Sequence, residues 1–383
     1  MNDSKPKTAP GNYDVVIVGA GFSGMYLVKK LRELGLNFVI LEQGGDVGGT
    51  WYWNRYPGAR CDIPTVEYSY SFDKELEQNW DWQELMAAQP EILNYANRVA
   101  DSYELRDYMR FKTRVASADF NEKENTWSVV TDAGDKYQAR YFIMATGCLS
   151  VPNWPDIEGR SDYAGRTLHT GLWPHEKVDF TGLRVGIIGT GSSAVQSIPE
   201  IAATAKELKV FQRTPVYTFP AGNHPLDDNF RADIKARYED IRETQRGSLG
   251  GMAMFGVMGR LQEVGTEKIV DCSEEERERR LAEDGLPSLR RYADVGLDLD
   301  ANEIACDLYR RHIADIIDDP ETAAALMPHG YPMGCKRQVV DIGYYETFNR
   351  DNVKLIDLRQ DPIERINAAG VRTAGEQHDV DVL

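Results

Sequence analysis

Cationic side chains are in short supply. Lys and Arg number 44 against 61 Asp and Glu, which leaves a formal charge of −17 over 383 residues. A nucleic-acid backbone or an anionic membrane surface wants a basic face, so this balance argues against both as partners. Cysteine is scarce as well. The five thiols (Cys61, Cys148, Cys272, Cys306, Cys335) are scattered, with no CxxC pair and no metal-ligand spacing. That pattern argues against a disulfide scaffold and a metal site, and it suits a reducing cytoplasm. No apolar run reaches the roughly 18–20 residues that a membrane span needs. The opening MNDSKPKTAPGN is polar and lacks the apolar stretch of a signal peptide, so residues 1–12 read as a disordered lead-in. What is there is ordinary: 42% hydrophobic and 27% charged residues, enough chain for two or three domains.

Glycine is where the chain becomes specific. YDVVIVGAGFSG carries Gly19, Gly21 and Gly24, and LRVGIIGTGSSA carries Gly189, Gly191 and Ala194. Each follows a Val/Ile run that reads as a buried parallel strand, and each opens a helix. Glycines there allow the tight turn and a close backbone approach, while a pyrophosphate sits on the helix N-terminus. The strand after the first turn, NFVILEQ, ends on Glu42; the strand after the second, KVFQRT, ends on Arg213. Both lie about 20 residues beyond their turn, where an acid suits free ribose hydroxyls and an Arg suits a 2′-phosphate. Two different dinucleotides are expected, one of them NADP. The fold class is therefore α/β, two Rossmann-like dinucleotide-binding domains with a helical insertion.

The rest of the chain divides around these units. The helix MYLVKKLRELG places Met25, Val28, Leu31 and Leu34 on one face and stops at Gly35. Residues 44–72 are rich in Gly, Pro, Trp and Tyr without periodicity, too long for an idle loop. A helical stretch runs on to about Tyr108, and ENTWSVVTDAGDKYQARYFIMATG alternates around a DAGD turn as a meander. The expected boundaries are 13–147 for the first nucleotide domain and 148–182 for a linker. The second nucleotide domain takes 183–224 and 331–383, interrupted by a helical insertion over 225–330. The insertion brackets a Gly/Met-rich patch, SLGGMAMFGVMG, expected to be mobile and near a substrate entrance. GVRTAGEQHDVDVL reads as a final hairpin, and a chain that stops inside the strand-like DVDVL reads as truncated.

Residues 163–175, YAGRTLHTGLWPH, resemble the fingerprint F-x-G-x-x-x-H-x-x-x-W-P of Baeyer–Villiger monooxygenases. Gly165, His169, Trp173 and Pro174 match; Tyr163 stands where Phe is usual and His175 where an acid or Gly is common. GGTWYWNRYPGARCD (48–62) resembles the family's flavin-site segment, and CKRQVVDIGYYETFNRDNV (335–353) the one carrying its active-site arginine. The likeness covers nearly the whole chain and implies an FAD-containing, NADPH-dependent enzyme. Such an enzyme turns ketones and O2 into esters or lactones through a C4a-peroxyflavin.

By the same resemblance Gly19, Gly21, Ser23, Gly24, Glu42, Thr50, Trp51, Asp62, Tyr68 and Val115 are the FAD positions. Thr190, Gly191, Ser192, Ser193 and Gln196 match the NADP cradle, with Arg213, Thr214 and Lys336 on the 2′-phosphate. Arg337 matches the catalytic arginine, and Asp62 the acid that tunes it. His169 reads as a hinge residue rather than a base.

Chemistry agrees with that assignment. An anionic peroxide and tetrahedral intermediate need a cation that cannot give up its proton, and Arg is the side chain that stays charged. Plainer readings stay open, since Arg337 could be a surface or phosphate-binding charge, Asp62 a cap or turn, and Trp51, Trp53 and Tyr56 core aromatics. In the family a second ATG-type turn follows the one at residues 145–147, and it is absent here. The chain is therefore expected to lack part of the flavin domain's core and pocket. Rival functions are a nitrogen- or sulfur-oxidising flavin monooxygenase, a disulfide reductase, which would need a redox cysteine pair, and an inactive truncated flavoprotein. Substrate identity and oligomeric state stay open.

Overall fold

The computed structural model describes residues 8–248, 266–337 and 339–383. The Gly/Met-rich patch falls almost wholly outside them, as do the first residues of the lead-in. The chain forms two compact units. One comprises Met1–Arg55, Gln89–Trp154 and His169–His175; the other comprises Tyr56–Ala88, Pro155–Leu168 and Glu176–Leu383.

The first unit is built on β1 (Asn12–Val18), α1 (Phe22–Glu33) and β2 (Phe38–Leu41). Val15, Val16 and Ile17 are buried, as is all of β2, because strands covered on both faces need continuous apolar runs. Met25, Val28 and Leu31 of α1 face the core. Leu34, expected on the same face, is 71% exposed, since the helix has ended at Glu33 and the chain turns through Gly35 at φ +65°. Two further helices, α2 (Thr50–Trp53) and α3 (Gln89–Ser102), lead to β3 (Met109–Arg110), β4 (Val115–Asn121), β5 (Thr126–Thr131) and β6 (Lys136–Met144). The sheet order is β3-β2-β1-β6-β5-β4. Pairing is parallel from β3 to β6 and antiparallel across the β4–β6 meander. The helical stretch expected up to Tyr108 is instead a short helix, Lys74–Gln78, then irregular chain, then α3 and a 3₁₀ turn at Leu105–Tyr108.

The second unit repeats the scheme with β7 (Arg184–Ile188), α4 (Ser192–Ala202) and β8 (Glu207–Gln212). A parallel pair, β9 (Thr218–Pro220) with β10 (Val339–Asp341), flanks the insertion. The insertion's described helices span Asp228–Gly247, Glu274–Asp284, Leu299–Ile316 and Pro320–Leu326, each N-capped by an Asp or Ser side chain. The parallel strand β11 (Val353–Asp357) completes the order β11-β8-β7. After it come β12 (Ile363–Asn367), β13 (Gly370–Thr373) and β14 (Gln377–Asp379), an antiparallel trio.

The expected final hairpin closes at Asp379, and the residues after it do something else. Val382 bridges to Val185 of β7 and to Arg166, and the Gly186 N–H donates to the Val382 carbonyl at 2.9 Å. Val380 and Val382 alternate inward, both nearly fully buried.

Candidate active site

The first glycine turn is packed to the limit of what side chains allow. A Cβ at Gly24 would stand 2.0 Å from the Gly19 carbonyl oxygen, and one at Gly19 would stand 2.5 Å from the carbonyl oxygen of Ala145. Gly19 itself has φ +107°, a conformation that favours glycine. Gly21 lies against Gly49, where the 48–49 turn leads into α2 with Thr50 and Trp51. Trp51 is buried, its carbonyl accepting from the Gln89 amide. Ser23 is exposed at the head of α1.

Glu42 is buried beside this turn. Its Oε2 accepts from the Ala20 N–H at 2.7 Å and its Oε1 from the Gly44 N–H at 2.6 Å. A carboxylate offers about four acceptor sites, so capacity for ribose hydroxyls remains. Thr113 donates its N–H to the Glu42 carbonyl at 2.8 Å, which brings the start of β4, and so Val115, alongside. Tyr68 and Asp62 belong to the other unit.

The second glycine turn is open where the first is closed. Nothing lies within 4 Å of a Cβ built on Gly189 or Gly191. Thr190 is buried and donates its hydroxyl to the Thr214 carbonyl at 3.0 Å, tying this turn to the chain leaving β8. Ser192 and Ser193 begin α4, half-buried, and Arg213 is exposed with no ion-pair partner among the described residues. The Lys336 ammonium sits 4.2 Å from the Tyr331 ring centroid, a cation–π contact.

Arg337 and Asp62 meet although 275 residues separate them. The guanidinium Nη2 donates to Asp62 Oδ2 at 2.8 Å. The Asp62 side chain is 13% exposed and that of Arg337 72%, so a held carboxylate carries an open cation. Burial raises the Asp62 pKa, and Arg337 and Gln196 oppose that rise. Gln196, on α4, donates its Nε2 to Asp62 Oδ1 at 2.8 Å, while its Oε1 accepts from the Tyr56 hydroxyl at 2.9 Å. The neighbouring Cys61 thiol is pushed up to about 12 by burial, too high for a thiolate nucleophile.

Tyr56 went unnoticed as a partner of this pair. The sequence signal was the Pro57-Gly58 turn, for Gly58 has φ +77° and a Cβ there would stand 2.1 Å from the Gln196 carbonyl oxygen.

The fingerprint residues divide between the units after Leu168 and again after His175. Gly165 packs under Tyr163, whose hydroxyl donates to the Val380 carbonyl at 2.9 Å. His169 Nδ1 accepts from the Gly171 N–H at 3.0 Å and so caps the 3₁₀ turn Thr170–Leu172. Its ring lies 4.6 Å from Trp154. Trp173 is buried, Pro174 is half-buried, and the His175 ring rests 4.7 Å from Tyr52.

Two strand–glycine turn–helix units, one beside a buried acid and one beside an exposed arginine, define a flavoprotein oxidoreductase of the two-dinucleotide class. Comparison with known proteins narrows this. Residues 16–257 match the family model described as pyridine nucleotide-disulphide oxidoreductase. All five cysteines are free thiols, so the disulfide chemistry of that description has no cysteine pair here.

A Baeyer–Villiger monooxygenase of Pseudooceanicola batsensis is 42% identical over 98% of this chain and 69% of that protein. A phenazine N-monooxygenase of Lysobacter antibioticus is 38% identical over 97% and 68%. Among solved structures, an oxidised steroid monooxygenase bound to NADP superposes at TM-score 0.88 with 46% identity, over 97% of this chain and 70% of that one. OTEMO in complex with FAD and NADP gives 0.89 with 38% identity, over 98% and 70%. The chain belongs to the Baeyer–Villiger monooxygenase family of NADPH-dependent flavin monooxygenases. Among the described residues no helix is long and apolar enough to cross a membrane.

Proposed function

We propose that this protein uses FAD, NADPH and O2 to insert one oxygen atom beside a ketone carbonyl, giving an ester or a lactone. The observation that carries the reading is the Asp62–Arg337 pair, a buried carboxylate under an open guanidinium. The residues fit the cofactors. Gly19 and Gly24 leave no room for a Cβ and so hold the turn tight, and Gly21 keeps the head of α1 free of a side chain where the FAD pyrophosphate would approach, with Ser23, Glu42, Thr50, Trp51, Tyr68 and Val115 as its other proposed contacts. The open Gly191 turn with Thr190, Ser192 and Ser193 suits the NADP pyrophosphate, and the exposed Arg213, with Thr214 and Lys336, suits its 2′-phosphate.

When bound, FAD reduced by NADPH supplies the oxygen-activating chemistry. The chain's part is electrostatic. Arg337 holds a positive charge that cannot be lost to an anion as a proton, so negative charge developing on the substrate oxygen is stabilised without being quenched. Asp62 fixes the direction of that guanidinium. His169, capping its turn where the chain passes from one unit to the other, serves as a hinge residue.

Arg337→Ala is expected to leave NADPH-driven bleaching of the flavin intact and to abolish ester formation from a ketone panel. Ester formation at the unchanged rate by the variant would remove the role. NADPH oxidation without ester or lactone from any ketone would overturn the function. The N-oxidising relative makes oxidation at nitrogen the second reading, and phenazine-type heteroaromatics and amines belong in the same panel.

A further inference from the structure

Gln196 lies where the sequence places a nucleotide contact, yet its side chain points its whole hydrogen-bonding capacity elsewhere. A primary amide has two N–H donors and two acceptor lone pairs. Nε2 donates to Asp62 Oδ1 at 2.8 Å and to the Arg60 carbonyl at 3.3 Å. Oε1 accepts from the Tyr56 hydroxyl at 2.9 Å and from the Arg60 N–H at 3.4 Å. All four positions are taken. The side chain is 2% exposed, so no donor or acceptor is left for a passing ligand.

The amide's orientation is set by its neighbours. Turned over, it would put a carbonyl oxygen against the Asp62 carboxylate and an N–H against the Arg60 N–H. The backbone is held too, since Gly58 presses on the Gln196 carbonyl.

We propose that Gln196 is a positioning residue for the Asp62–Arg337 pair and not a ligand of the dinucleotide through its side chain. Carried on α4 behind the second glycine turn, it clamps residues 56–62 and engages one carboxylate oxygen of Asp62. The other oxygen is thereby presented to Arg337. Any shift of α4 on nucleotide binding is transmitted to the carboxylate that aims the cation. This rests on the reading of Asp62 and Arg337 as the catalytic pair.

The test follows the Asp62 carboxyl directly, by 13C NMR titration of protein labelled at aspartate and assigned with Asp62→Asn. Gln196→Met removes the donor, so the Asp62 titration moves to higher pH. Gln196→Glu keeps the acceptor for Tyr56 but sets a second carboxylate against Asp62, so it moves the titration further still. Tyr56→Phe, milder for folding, releases only Oε1 and gives a smaller shift of the same sign. NADP affinity of Gln196→Met, read by calorimetry, stays within about twofold.

Identical titrations in the unchanged protein and the Met and Glu variants would overturn the inference. So would a tenfold or greater loss of NADP affinity with the Asp62 titration unmoved. Failure of the unchanged protein to form esters would count against the function alone, because the titration arm needs no turnover.

Discussion

Arg213 and Arg337 are both exposed arginines in the second unit, and their surroundings differ. Arg337 is committed to Asp62, whereas Arg213 stands at the end of β8 with no acid paired to it among the described residues. A guanidinium placed so, next to an open glycine turn, is available for a phosphate. Replacing Arg213 with Ala removes hydrogen bonds to a charged group, each worth about 1.5–3 kcal/mol. NADPH affinity should fall by about 10- to 100-fold while NADH affinity stays unchanged, a difference that steady-state KM values for the two nucleotides would show. Equal losses for both would mean that Arg213 contacts something other than the 2′-phosphate. The place of Arg213 at the end of β8 was legible in the sequence because it depends only on local spacing after a glycine turn. Tyr56 was not, because its hydroxyl matters through Gln196, a residue 140 positions away in an element of different periodicity.

At the scale of elements, the two glycine turns look alike in sequence and differ in packing. In the first, Gly24 is jammed against the Gly19 carbonyl and Gly19 against Ala145, so backbone crowding alone demands glycine. In the second, Gly191 has φ −77° and empty space around its Cβ position, so the fold itself does not demand glycine there, and under the proposed function the demand comes from the nucleotide. Gly24→Ala should therefore lower stability by about 1–3 kcal/mol, because neither facing group is a flexible side chain that can yield. Gly191→Ala should alter stability by less than about 0.5 kcal/mol, yet weaken NADP binding by crowding the pyrophosphate. Thermal denaturation and nucleotide titration on the same pair of variants separate the cases; a large stability loss in Gly191→Ala would contradict them.

The motif showed where the turns are and which strands and helices flank them. It could not show which turn was closed, because Ala145 and Gly49 reach the first turn from distant segments. The same limit explains the helix boundaries missed between 73 and 108. That stretch has helix-compatible composition, but Thr65 and Cys61 draw the irregular chain at 85–87 into backbone hydrogen bonds instead.

Across the whole molecule, long-range closures decide which segments belong together. The segment 56–62 leaves the unit of its sequence neighbours because Gly58 and Gln196 hold it to α4. The insertion leaves after β9 and returns to β10, and those two short strands are pinned by a polar network rather than by length. Thr218 of β9 donates its hydroxyl to Asp341 Oδ2, and Tyr309 of the insertion bonds both Thr218 backbone groups and the Tyr345 hydroxyl. Asp341 is 7% exposed, and burial raises its pKa above the ordinary 3.8. Glu346, the nearby acid, pushes in the same direction, while the Thr218 hydroxyl and the Gly343 and Tyr344 N–H groups pull the other way.

A carboxyl whose pKa is raised on folding stabilises the fold most when protonated. That contribution is complete below the unfolded value and is lost as pH climbs through the higher folded value. Asp341→Asn keeps an acceptor and a neutral side chain at every pH, so it should remove this dependence. Measured by urea unfolding, the variant should match the parent near the ordinary carboxyl value of 3.8 and gain on it steadily as pH rises toward neutrality. A parent that gained stability relative to the Asp341→Asn variant over that range would show Asp341 to be a favoured buried anion. The closure between β9 and β10 would then rest on an ionised carboxylate instead of a hydrogen-bonded acid.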